Sequence, residues 1–74
     1  MTKLPIISGK EAVKAFGKVG YKIDHQTGSH IILRNVNSPY RRLTVLNHKE
    51  IAKGTLTAMV KQAGLTIEEF RGFL

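Results

Sequence analysis

Seventy-four residues without a cysteine make one small domain, expected to span 1–74, and folding at this size buries only ~60% of the chain's surface. Hydrophobic residues are 42% of the chain and charged residues 23%, a globular composition rather than a disordered one. Twelve Lys+Arg against five Asp+Glu give a net charge of +7, which on so short a chain points to a polyanionic partner such as nucleic acid or an acidic protein. The lack of cysteine excludes a disulfide framework, a thiolate zinc site and a cysteine nucleophile. Apolar runs such as Ile31-Ile32-Leu33 fall far short of the ~18 residues that cross a bilayer. The apolar stretch behind Met1 is too short for a signal peptide, and no Gly-rich phosphate fingerprint is present. The expectation is a basic cytoplasmic domain with no membrane attachment.

Ser8-Gly9-Lys10-Glu11 reads as a capping box, hydroxyl and carboxylate each satisfying the other's backbone at a helix start. Ala12, Val13, Phe16 and Val19 then recur at helical spacing with Lys10, Lys14 and Lys18 on another face, so a first helix is expected over 9–19, stopped by Gly20. The period changes to two from Tyr21, predicting a strand over 21–26, a tight turn at Gln26-Thr27-Gly28 and a second strand over 29–34. A polar loop over 35–39 leads to a third strand over 41–47, and the three form an antiparallel meander. After a connection over 47–53, Gly54-Thr55 opens a helix whose Leu56, Met59, Val60 and Ala63 form a core stripe. Gly64 ends it. Thr66-Ile67-Glu68-Glu69 is a second capping box, starting a short last helix that carries Ile67, Phe70 and Phe73.

The fold class is therefore α+β, in the order α-β-β-β-α(α), with helices packed on one face of the sheet and the other face open. Alternation assigns Tyr21, Ile23, Ile31, Leu33, Leu43 and Val45 to the face under the helices. Lys22, Asp24, Gln26, His30, Ile32, Arg34, Arg42 and Thr44 fall on the open face, an assignment that a bulge in either hairpin would flip.

His30, on the middle strand among basic residues, reads either as a solvated surface histidine or as a general acid/base, since imidazole titrates near neutral pH. His25 has core parity at a strand end, which favours a structural role. His48 follows the third strand and is a second acid/base candidate or a helix-entry residue. The three histidines and scattered acids do not have the spacing of a metal set, and Ser29 and His30, as strand neighbours, point to opposite faces and cannot join a Ser-His-Asp arrangement. The Lys10, Lys14, Lys18 stripe is a solvated face or a contact for an acidic partner, with Lys49, Lys53 and Lys61 adding to the charge. Phe16, Phe70 and Phe73 lie on core stripes and Tyr40 alone looks exposed, which argues against a base-stacking platform.

Gly28-Ser29-His30, then His48-Lys49, Lys53-Gly54-Thr55-Leu56 and Lys61-Gln62-Ala63-Gly64-Leu65, in that order, resemble the HicA family of mRNA interferase toxins over nearly the whole chain. The resemblance implies a compact fold like that of double-stranded-RNA-binding domains, and a ribonuclease acting on mRNA through the histidine of Gly-Ser-His, here His30, with Gly28 and Ser29 as its motif neighbours. It also implies a HicB-type antitoxin that binds the toxin and covers that histidine. The family commonly has a proline just before the histidine that follows the third strand; this chain has Leu46-Asn47-His48. The mechanism expected on this basis needs no metal or other cofactor: His30 takes the proton of a ribose 2′-OH, which attacks the adjacent phosphate, while Lys22, Arg34, Arg42 and Lys53 bind phosphate and the first three stabilise the transition state. One histidine supplies a base or an acid, so water, a lysine or His48 must supply the other. The competing expectation is a non-catalytic module that grips RNA through phosphate and 2′-OH contacts alone.

Overall fold

A computed structural model describes residues 4–74; residues 1–3 of the expected domain lie outside the described residues. The elements run α1 (Gly9–Gly17), β1 (Tyr21–Thr27), β2 (His30–Asn35), β3 (Arg42–Leu46), α2 (Lys53–Gln62) and α3 (Ile67–Arg71). Both capping boxes form. The Ser8 hydroxyl accepts from Glu11 N–H and the Glu11 carboxylate from Ser8 N–H, each at 3.1 Å, and Thr66 and Glu69 repeat the exchange at 2.9 and 3.1 Å. α1 stops two residues before the expected end. The N–H groups of Lys18, Val19 and Gly20 turn to carbonyls three residues back, the tightening by which a helix end satisfies its free groups. α2 begins one residue before Gly54, at Lys53, with Ala52 as a cap that offers no side-chain bond.

The strands form one antiparallel sheet in the order β1-β2-β3. Ile31, Leu33, Leu43 and Val45 are buried beneath the helices, as alternation requires, together with Ala12, Phe16, Leu56, Met59, Val60 and Phe70. Phe16 is the joint between elements: its ring centroid lies 6.0 Å from that of Tyr21, edge-on, and 4.8 Å from that of Phe70. The Tyr21 hydroxyl donates to the Ala63 carbonyl at 3.2 Å, tying the start of β1 to the end of α2.

The structure departs from the expected sheet in two places. The β1–β2 turn is the two-residue loop Gly28-Ser29, closed by the Thr27–His30 pair, with Gly28 at φ +56°. That positive φ at the first loop position is what a type II′ hairpin asks of glycine, and it makes His30 the first residue of β2. Second, the register slips by one between Ile23 and His25. β1 spends seven residues opposite six of β2, so one residue, Asp24, bulges out of the ladder. Every side chain after it changes face. Gln26 pairs with the core residue Ile31 and moves to the helical side, while His25 pairs with Ile32 and moves to the open face. Ile23 lies opposite the core residue Leu33 but is 58% exposed rather than buried, because the helical layer reaches β1 at Tyr21 and no further along it.

The β3–α2 connection is pinned to the start of α1. Gly9 N–H donates to the His48 carbonyl at 2.9 Å and Ile51 N–H to the Ile7 carbonyl at 2.8 Å. The approach leaves no room for a side chain: a Cβ on Gly9 would sit 2.3 Å from the Leu46 carbonyl oxygen and 2.8 Å from the Asn47 Cα. At Gly17, on the last turn of the same helix, a Cβ would meet nothing within 4 Å. Gly9→Ala should therefore lower stability by about 1–3 kcal/mol through forced backbone displacement, whereas Gly17→Ala should raise it by up to about 1 kcal/mol through helix propensity. Urea denaturation of the two variants checks the opposite signs.

Candidate functional site

The open face of the sheet reads as three rows across the strands. At one end stand Thr27, His30 and Leu46, in the middle His25, Ile32 and Thr44, and at the other end Lys22, Arg34 and Arg42. Residues directly opposite in an antiparallel ladder share a face, so each row is a set of neighbours about 4.8 Å apart from strand to strand. His30 is exposed, held at the sheet's end by the hairpin on one side and by the Asn47 N–H to Ser29 carbonyl bond, 2.7 Å, on the other.

The cations do not surround His30. Lys22, Arg34 and Arg42 stand four residues away along β2, roughly 13 Å at the rise of a strand, so the row is not packed around the imidazole as expected. It is a separate feature of the same surface. Three like charges directly opposite one another oppose sheet formation, and among the described residues no carboxylate is ion-paired with any of them. Nothing in the packing explains the row, which lays a track of positive charge across the open face. Lys53 is not part of it, since it opens α2 in the helical layer beside Ile6, Glu50, Ile51 and Ala52. The exposed Lys10, Lys14 and Lys18 belong to that same layer.

The other two histidines are redistributed. His48 lies beyond β3, exposed, with its carbonyl held by Gly9 of the helical layer. His25, assigned a structural role by alternation, is exposed on the open face, and its Nδ1 is 3.1 Å from the Asp24 carboxylate. Adjacent residues of a regular strand point to opposite faces; contact between these two side chains is a consequence of the bulge. The unequal lengths of the two strands, seven residues against six, show the bulge only once the pairing is known, so no sequence signal marks it. Ile23, Val36 and Tyr40 are exposed at the far end of β1, while Phe16 and Phe70 are buried and Phe73 is half-buried against the core, leaving no aromatic platform of those rings.

A family model described as the HicA toxin of bacterial toxin–antitoxin systems matches residues 9–65, from the first residue of α1 to just past α2. The chain belongs to the HicA toxin family. As a HicA-family toxin it is one half of a toxin–antitoxin system and has a cognate antitoxin for a partner. Among curated proteins no sequence matches this HicA-family chain. Among its described residues no helix is long and apolar enough to cross a membrane.

The unpaired row yields a test that is independent of any ligand. Arg34→Thr removes the central charge and leaves a good strand former, so it should raise stability by about 0.5 kcal/mol. It should also flatten the gain in stability that the parent protein shows as salt screens the row. Urea midpoints of the two proteins at low and high salt measure both effects.

Proposed function

We propose that this toxin is an endoribonuclease that cuts mRNA on the open face of its sheet, with His30 as the acid/base that activates the attacking group. The observation that carries the reading is the position of the Gly28-Ser29-His30 segment: a two-residue hairpin turn delivers an exposed imidazole to the open face, within the stretch matched by the HicA model. The reaction is a transesterification. His30 accepts the 2′-OH proton, the 2′-oxygen forms a bond to phosphorus, the bond from phosphorus to the 5′-oxygen breaks, and that oxygen leaves with a proton. The products are a 2′,3′-cyclic phosphate and a 5′-hydroxyl, no metal takes part, and DNA, lacking the 2′-OH, is spared.

Lys22, Arg34 and Arg42 serve this reaction at a distance. A row roughly 13 Å along the strand from His30 is suited to phosphates further along the same RNA, fixing its direction over the sheet rather than holding the reacting phosphate. Lys53 and the α1 lysines supply a general attraction for polyanions. The antitoxin, of HicB type, inhibits by covering His30 and the face around it.

Wild type and His30→Ala incubated with one long mRNA in EDTA decide the matter on a gel. The wild type should cut and leave cyclic or 3′-phosphate ends, and the variant should lose about 10²–10⁴-fold in rate, the usual contribution of a positioned acid/base, while shifting RNA as well as the parent does. Equal RNA binding with no cleavage by either protein would make the domain a non-catalytic RNA-binding module, and 3′-hydroxyl ends would rule out attack by the 2′-OH.

A further inference from the structure

A transesterification needs a group to take a proton from the 2′-OH and a group to give one to the departing 5′-oxygen. His30 can be one of them. We infer that His25 is the other, the general acid for the leaving group, oriented by Asp24; the inference rests on the reading of His30 given above. Three observations lead to it. The bulge at Asp24 turns His25 from the helical face to the open face, opposite Ile32, two residues along β2 from His30. Residues so placed are diagonal neighbours, about 7–8 Å apart at the backbone, close enough for two rings on one face to reach a single phosphodiester group with hydrogen bonds of ~2.6–3.2 Å. The Asp24 carboxylate, 3.1 Å from Nδ1, is placed to accept an N–H from that nitrogen, which would leave Nε2 as the atom that exchanges protons. His48 has none of this, being off the ladder with its backbone turned to α1.

The step balances within the site. As the 2′-oxygen bonds to phosphorus its proton passes to His30. As the bond to the 5′-oxygen breaks, His25 Nε2 gives that oxygen a proton, and exchange with water restores both rings. Asp24 acts only through His25 and is a positioning residue.

RNA in which the bridging 5′-oxygen at the cut is replaced by sulfur separates this role from others, because a thiolate leaves without being protonated. On ordinary RNA, His25→Ala should cut about 10²–10⁴-fold more slowly than wild type, and Asp24→Asn should show a smaller loss. On the 5′-thio substrate His25→Ala should cut at nearly the wild-type rate, while His30→Ala, which lacks the base, stays slow on both. Circular dichroism of His25→Ala, whose side chain is exposed, should match wild type. An equal loss on both substrates would make His25 a binding or structural residue, and no loss on either would make it a bystander; both overturn the assignment. Rescue by sulfur in His48→Ala instead would move the acid to His48. Full activity of His30→Ala would instead remove His30 as the base, and no cleavage by wild type would remove the ribonuclease reading; the assignment stands on both.

Discussion

With helix enough to cover one face of a three-stranded sheet, this chain must leave the other face to water, and that constraint organises the molecule. Phe16 is the joint on the covered side: its contacts with Tyr21 and Phe70 bring α1, the head of β1 and α3 to one point. On the open side no core residue competes for position, so the ladder is free to carry polar and charged groups. His30 stands in the row at one end, His25 in the middle row, and the cations at the other end. The cation row has no stabilising explanation in the fold, and the role proposed for it is a functional one.

The bulge is the second controlling feature. One unpaired residue in an edge strand costs a little ladder and moves each side chain after it to the other face. Gln26 passes to the helical side and His25 to the open side, so a surface with one imidazole becomes a surface with two, the second leaning on a carboxylate. The turn at Gly28-Ser29 then places His30 two residues from the level of His25. A local irregularity in backbone pairing, rather than any packing of the core, decides which protonatable groups meet.

Much of this was legible in the residues. The capping boxes at Ser8 and Thr66 are local bonds over three residues, and they formed where they were read. Alternation in β2 and β3 held because both strands are covered by helices, so a slip would expose Leu33 or Val45 at a cost of about 1.5–3 kcal/mol for each buried side chain. β1 lacks that protection. Past Tyr21 it has no helix over it, so nothing penalises a change of register there, and alternation has no force at Ile23, His25 and Gln26. The cation row was visible as residue types on one face, but which of them stand abreast, and how far from His30, depends on pairing between strands. The family pattern pointed to His30 and was silent on the role of His25, which a bulge made possible.

On the function proposed here, RNA lies across the open face, over both imidazoles. The most direct test is NMR of the full chain with labelled histidine and arginine side chains, titrated with a 2′-O-methyl oligoribonucleotide that cannot be cut. The rings of His25 and His30 should shift together, along with the Arg34 and Arg42 guanidinium groups, while His48 and Arg71 stay in place. Shifts confined to His48 and Arg71, with His25 and His30 unmoved, would contradict that placement of the RNA.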